Sequence, residues 1–131
     1  MVDYANVSDE VIANRNFLAD KVHRELELAG IATLRQGDGE ERAGAQIEVD
    51  LGDDSAGGVF VSWNPHPILS QAASDAVRKG QLQAPVIRHS GAVVSHVRDA
   101  ITGILVSAGF RVDVADDDMR PLAVRVWGDE T

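Results

Sequence analysis

The strongest constraint on the fold is the recurrence of apolar residues at every second position in two pairs of short segments. In AQIEVDL, the apolar residues Ile47, Val49 and Leu51 alternate with polar ones. Successive side chains of a β-strand point to opposite faces, so this segment predicts a strand with one apolar face. An acidic, glycine-rich GDDSAGG and an apolar VFVSW follow it, which predicts a hairpin over 45–63.

A second pair of alternating segments lies near the end of the sequence. FRVDV and LAVRVW are separated by ADDDMRP, which predicts a second hairpin over 110–127. VDLGDD in the first pair resembles VDVADD in the second, and the pairs end in Trp63 and Trp127. The similarity has two interpretations, an ancient duplication of a helix–hairpin unit or a coincidence, because acidic turns between valine-rich strands are common.

Apolar residues at helical spacing predict three helices. The first runs over 8–29 and has Ser8 as its N-cap. The second runs over 66–80, and the third runs over 90–108 with Ser90 as its N-cap. IATLR, which follows the first helix, is a candidate short strand.

The order of these elements predicts an α+β fold, because the helices are not interleaved one by one with strands. We expect a single globular domain over 1–131, with a mostly antiparallel sheet of four or five strands and three helices. Strands lie about 4.8 Å apart and helices about 10 Å apart, so one face of such a sheet has room for roughly two helices. The order is similar to that of small helix-and-hairpin modules that act as dimeric chaperones or adaptors, although no motif ties the chain to such a family.

Charge and composition limit the expected partners. The formal net charge is −9, and a surface of that sign repels phosphate backbones and anionic lipid, so we expect neither nucleic acid nor membrane as a partner. The absence of cysteine excludes thiolate metal sites and cysteine nucleophiles. The sequence has no signal-peptide pattern and no apolar run of about 20 residues, so we expect a cytoplasmic location.

The polar residues form no strong catalytic or metal-binding motif. His89 and His96 are seven residues apart, about 10.5 Å along a helix, which is too far for one zinc ion. Glycine-rich nucleotide fingerprints and the G-x-S-x-G motif are absent from the sequence. We therefore expect no metal, no cofactor and no catalytic residue, while a site that only the fold assembles stays open.

The segment SWNPHPIL has two interpretations, a ligand site or a corner between a strand and a helix. Its Trp63 falls on the apolar face of the strand, which predicts packing in the core. Either Asn64 caps the next helix with Pro65 in its first position, or His66 caps it with Pro67 in that position. Prolines supply no N–H group for an anion, which favours the corner.

The segment RHSG, at the expected start of the third helix, is the better candidate for anion binding. Free backbone N–H groups and the side chains of Arg88, His89 and Ser90 offer donors there. The alternative interpretation is an ordinary serine cap beside a solvated arginine. The anion site gives one candidate function, a small-molecule binding domain or minor enzyme with a pocket near Arg88, His89 and Trp63.

The second face of the sheet gives the main functional expectation. Phe60, Arg111, Arg125 and Trp127 alternate away from the valines and share this face. Aromatic residues and arginine are enriched at protein interfaces, so the face is either a partner surface or the seat of a helix. We expect a small acidic protein-interaction or regulatory module without catalytic activity, whose partner is another protein or a second copy. In the homodimer, Trp127 is expected at the interface, because its strand lies at an uncovered edge or exposes an aromatic face.

Overall fold

The computed structural model describes residues 9–35, 42–50, 58–114 and 123–129. In chain order, these residues form α1 (Asp9–Leu28), β1 (Thr33–Arg35), β2 (Gly44–Asp50), β3 (Gly58–Asn64), α2 (Pro67–Arg78), α3 (Pro85–Ser107), β4 (Phe110–Val114) and β5 (Val124–Asp129).

The strands form one mixed sheet in the order β1-β2-β3-β5-β4. β1 runs parallel to β2, and the other neighbours are antiparallel. The predicted α+β class, with three helices and a mostly antiparallel sheet, is confirmed, and the candidate strand IATLR contains β1. The residues that connect β2 to β3 and β4 to β5 lie outside the described ranges, so the two predicted turns stay predictions.

One face of the sheet, here the inner face, carries the core. Its alternating apolar side chains pack against α1 and α3, as the sequence pattern predicts, and Trp63 packs partly buried against the same cluster. The buried cluster consists of Ala19, Val22 and Leu26 from α1, Ile101 and Leu105 from α3, and Ala45, Ile47, Val59, Val61, Phe110, Val124 and Val126 from the strands.

The three helices form two layers on the inner side of the sheet. α1 and α3 pack directly on the strands, and α2 packs against α3. This arrangement agrees with the expected room for two helices on one face. The opposite face is here called the outer face; its Phe60 lies outside the buried cluster, although only 4% of its surface is exposed.

The predicted start of the third helix at Ser90 is wrong, since α3 begins at Pro85. The missing N–H and restricted φ of a proline suit the first turn of a helix. Ala84 before it is extended, with φ −62° and ψ 133°, as the residue before a proline prefers. In the segment QLQAPVIRH, the residues up to Ala84 connect α2 to α3, and the last five residues are helical.

The segment SWNPHPIL forms the corner that the prolines favour. His66 caps α2, because its Nδ1 accepts a hydrogen bond from the backbone N–H of Ile68 at 3.1 Å. Pro67 occupies the start of the helix, so the second of the two predicted caps is the one that forms.

The four strands β2, β3, β5 and β4 are arranged symmetrically about the β3–β5 pair. The pair β2–β3 comes after α1 in the sequence, and the pair β4–β5 comes after α3. Gly30 follows the end of α1 with a φ of 93°, and Gly109 follows the end of α3 with a φ of 103°. A duplicated helix–hairpin unit gives this arrangement, but independent packing also gives it, so the duplication stays a prediction.

Candidate functional site

Five residues of three neighbouring strands form the most distinctive surface, on the outer face. We call them the Trp127 cluster; they are Phe60 from β3, Arg111 and Asp113 from β4, and Arg125 and Trp127 from β5. The sheet register explains their proximity, because Arg125 pairs with Phe60 on one side and with Asp113 on the other. Side chains of directly paired residues lie on the same face.

Two arginines flank the indole ring of Trp127. The guanidinium carbon of Arg125 lies 3.9 Å from the centroid of that ring, and the guanidinium carbon of Arg111 lies 4.7 Å from it. Arg125 also lies 5.6 Å from the ring centroid of Phe60. Such cation–π contacts contribute about 0.5–1 kcal/mol each at exposed sites, so the ring and the cations hold each other in place.

The polar end of Trp127 is bound to Asp113. The indole Nε1 donates a hydrogen bond to Asp113 Oδ2 at 2.6 Å. A carboxylate acceptor makes this bond shorter and stronger than a neutral one. Trp127 nonetheless keeps 37% of its surface exposed, whereas Phe60 keeps 4%. Within the cluster, Trp127 is therefore the exposed aromatic side chain.

An irregularity in the β4–β5 pairing lies at the Trp127 cluster. Phe110 pairs with Asp129 and Val112 pairs with Val126, so β5 has one residue more than β4 between these pairs. Trp127 and Gly128 together oppose Arg111. Such bulges increase the local twist, re-aim side chains and occur often beside functional sites.

Gly58 leaves space for the Arg125 side chain. A Cβ atom at Gly58 lies 3.1 Å from Arg125 Nε, closer than ordinary van der Waals contact, and φ of Gly58 is 140°. A larger residue at position 58 therefore displaces the guanidinium that stacks on Trp127.

A groove separates the first half of α1 from Trp127. We call it the α1 groove; it has a volume of about 370 Å³ and is lined by Val11, Asn14, Arg15, Phe17, Leu18, Lys21 and Trp127. Arg15 Nη1 donates a hydrogen bond to the carbonyl oxygen of Asp50 at 2.8 Å and so ties α1 to the end of β2. Lys21 Nζ lies 5.2 Å from the centroid of the exposed Phe17 ring. The groove thus combines aromatic rings with two positive charges.

The expected anion site at Arg88, His89 and Ser90 has lost its structural basis. These residues lie inside α3 and not at its N-terminus, so their backbone N–H groups fall within the hydrogen-bonded helix. Arg88 and His89 are exposed. The role of these residues in binding stays an untested prediction.

A second, smaller pocket lies at the corner between β3 and α2. It has a volume of about 120 Å³ and is lined by Arg42, Asn64, Pro65, Pro67, Ser70 and Gln71. Neither this pocket nor the α1 groove contains Arg88, His89 or Trp63, the three residues that the sequence predicts to share a pocket.

β4, and not β5, is the edge strand on this side of the sheet. Of the two alternatives expected for the last strand, an uncovered edge or an exposed aromatic face, the edge is not found, because β5 pairs with both β3 and β4. The four interface residues predicted from the sequence do lie together, and the prediction missed Asp113 as the acceptor for Trp127. The signal was present, since Asp113 alternates onto the same face as Arg111.

Neither metal binding nor similarity to known proteins suggests a function. The described residues contain no group of three or more histidine, aspartate or glutamate side chains placed to hold a metal ion. Nor does any helix among them have the length and apolar character needed to cross a membrane. Comparison of the chain with protein-family models, with curated proteins and with solved structures finds no match.

Proposed function

We propose that the protein is a protein-interaction module that works as a homodimer, joined along the edge of β4 beside the Trp127 cluster. The observation that carries the proposal is the exposure of Arg111 and Asp113 on this edge strand, next to the exposed indole of Trp127. An edge strand presents a row of backbone N–H and C=O groups, which is a template for another strand. Among the described strands, β5 pairs with one edge of β4, and none pairs with its other edge.

The sequence of β4 is self-complementary in charge. When two β4 strands pair antiparallel about a twofold axis at Val112, Arg111 of one copy opposes Asp113 of the other, and the reverse pair forms as well. Each such cross-strand pair of opposite charges contributes about 0.2–1 kcal/mol. Trp127, one strand away, borders this joint.

Charge exchange at the edge tests the dimer directly. In a twofold joint of Arg111→Asp, the new aspartate of each copy opposes Asp113 of the other, so two negative charges meet in both pairs. In Asp113→Arg, two positive charges meet in both pairs. Each variant alone is therefore expected to be monomeric. A mixture of the two variants restores both opposite-charge pairs, so it is expected to form a heterodimer. Sedimentation velocity of each variant and of the mixture measures this.

Arg24→Asp is the matched control, since Arg24 is an exposed arginine on α1 away from the edge. It makes the same charge change as Arg111→Asp and is expected to leave the dimer intact. The proposal fails if the two edge variants dimerise as the native protein does, or if their mixture stays monomeric.

A second candidate function, binding of a small anionic molecule, is supported by the α1 groove. Its volume of about 370 Å³ falls in the usual range for ligand pockets, and aromatic rings with a few charged groups are typical linings. The apolar, anionic dye 8-anilinonaphthalene-1-sulfonate is a suitable probe. Saturable binding that Lys21→Glu weakens about tenfold supports this candidate, and no saturable binding by the native protein contradicts it.

A further inference from the structure

The two most exposed aromatic side chains of the described residues line the same groove. Phe17 keeps 64% of its surface exposed and Trp127 keeps 37%, and both belong to the α1 groove. Phe60 and Phe110 are buried, and Trp63 is half-buried. Exposed apolar side chains that lie together are characteristic of an interaction site. The α1 groove is therefore where the described part of the chain presents aromatic rings to a ligand.

The charge of the α1 groove is opposite to that of the chain. Among the described residues, the charged side chains that line the groove are Arg15 and Lys21, and no aspartate or glutamate lines it. The chain as a whole has a net charge of −9. Local positive charge attracts an anion, and an ammonium group donates strong hydrogen bonds to a carboxylate. The single ammonium group of Lys21 thus matches a ligand with a single negative charge.

Both walls of the groove are held in place by contacts that need no ligand. Asp113 accepts the indole N–H of Trp127 at 2.6 Å, and the guanidinium carbon of Arg125 lies 3.9 Å from the centroid of the same ring. On the opposite wall, Arg15 ties α1 to the carbonyl oxygen of Asp50. A site that is already ordered loses less conformational entropy when a ligand binds. The groove is therefore suited to a rigid, flat molecule.

The distance between charge and ring in the groove limits the shape of the ligand. Lys21 Nζ lies 5.2 Å from the centroid of the Phe17 ring. A ligand whose carboxylate binds Lys21 therefore brings its own ring beside Phe17 when a short spacer joins the two groups. The volume of about 370 Å³ lies near the lower end of the range for ligand pockets, which suits a molecule of one or two rings.

We propose that the α1 groove binds an aromatic carboxylic acid in which a short spacer joins the ring to the carboxylate. The proposal rests on the second candidate function and names the class of its anion. The ring of the ligand lies between Phe17 and Trp127, since aromatic rings associate both offset-stacked and edge to face. The carboxylate accepts a hydrogen bond from the ammonium group of Lys21.

Naphthylacetate is the probe, and the two tryptophans of the chain report where it binds. In a proton–nitrogen NMR spectrum, the indole N–H signal of Trp127 is expected to shift in a saturable manner, with a dissociation constant of about 1 mM or lower. Trp63 lines neither the α1 groove nor the pocket at the β3–α2 corner, so its signal is expected to stay in place. The variant Trp127→Phe assigns the two signals.

Two matched compounds separate the contribution of the charge from that of the ring. Naphthylacetamide keeps the ring without the charge, and octanoate keeps the charge without the ring. Each is expected to bind at least about tenfold more weakly than naphthylacetate. The proposal is overturned if either compound binds as tightly as naphthylacetate, or if naphthylacetate produces no saturable shift at Trp127.

Lys21→Met and Lys79→Met remove the same charge at two different places. Lys21→Met is expected to weaken the binding of naphthylacetate about tenfold and to leave the binding of naphthylacetamide unchanged. Lys79 is exposed at the end of α2, so Lys79→Met is the control and is expected to bind both compounds as the native protein does. An unchanged affinity of Lys21→Met for naphthylacetate, or an equal loss in both variants, overturns the proposal.

The dye experiment described above distinguishes a wrong class of ligand from a wrong site. If the dye binds in a manner that depends on Lys21 but naphthylacetate does not bind, the aromatic acid is wrong and the second candidate function stands. If neither compound binds, the second candidate function fails as well. The homodimer is tested by the β4 variants and is independent of both results.

Discussion

Trp127 donates its indole N–H to the carboxylate of Asp113 at 2.6 Å, across the β4–β5 pair. The bond links the exposed aromatic side chain of β5 to a charged side chain of the edge strand β4. In the proposed dimer, the same Asp113 opposes Arg111 of the second copy. One carboxylate therefore orients the tryptophan and, in the dimer that we propose, also belongs to the joint.

Removal of that carboxylate is expected to destabilise the monomer modestly. Asp113→Ala leaves the indole without its acceptor and lowers the free energy of unfolding by about 1 kcal/mol, a typical value for such a bond. Asp113→Asn keeps an acceptor and is expected to lose less than half as much. Thermal unfolding of the two variants in the Arg111→Asp background, where the joint is absent, gives both values. Equal losses contradict the hydrogen bond as the cause.

Gly44 is expected to tolerate no side chain. Its φ is 148°, and a Cβ atom there lies 2.7 Å from the carbonyl oxygen of Ala32, which also accepts a hydrogen bond from Ala45 N–H at 2.8 Å. Gly44→Ala is expected to cost about 2 kcal/mol or more, from backbone strain and the clash. The control is Gly91→Ala within α3, where nothing lies within 4 Å, and it is expected to stabilise by about 0.5–1 kcal/mol. Urea unfolding decides, and a neutral Gly44→Ala refutes the prediction.

Two leucines are expected to differ in their contribution to stability. Leu105 is fully buried, so Leu105→Ala is expected to lower the free energy of unfolding by about 2–5 kcal/mol. Leu82 is exposed between α2 and α3, so Leu82→Ala is expected to change monomer stability by about 0.5 kcal/mol or less. Urea unfolding at high dilution measures both. A large loss for Leu82→Ala in the monomer contradicts the exposure of this side chain.

Removal of divalent metal is expected to have no effect on stability. Among the described residues there is no cluster of ligands, and a bound metal stabilises the folded state in proportion to its occupancy. Dialysis against EDTA should therefore leave the melting temperature unchanged. A fall of several degrees, reversed by added zinc, identifies a metal site.

Duplex DNA is expected not to bind at physiological salt and micromolar protein. The net charge of −9 opposes the phosphate backbone. A gel-shift assay tests this prediction. A shift that weakens with salt would contradict the charge argument.

The alternation of apolar residues was sufficient to assign the two faces of the sheet. It placed Val59 and Val61 on the inner face and Arg125 and Trp127 on the outer face, because side-chain direction in a strand depends only on position parity. The parity argument does not give strand order, which depends on long-range pairing. Hence the sequence left open whether β5 lies at an edge or only exposes an aromatic face, and in the structure β4 occupies the edge.

Local signals conflicted at the start of α3. Ser90 is a good N-cap, but Pro85 preceded by Ala84 is also a helix start, and the longer helix forms because the five added residues continue the helical turn. The α1 groove had no local signal at all. It joins α1 to Trp127, more than one hundred residues away in sequence, so only the packed structure reveals it.

Sedimentation equilibrium of the native protein and of Trp127→Ala tests the dimer most directly. A modest dimer of about 8 kcal/mol has a dissociation constant near 1 μM, so the native protein at about 100 μM is expected to have at least the mass of a dimer. Loss of an aromatic anchor typically costs about 2 kcal/mol, which raises the dissociation constant about thirtyfold in Trp127→Ala. A native protein that is monomeric at about 100 μM contradicts the homodimer, and a variant that dimerises as tightly as the native protein removes Trp127 from its interface.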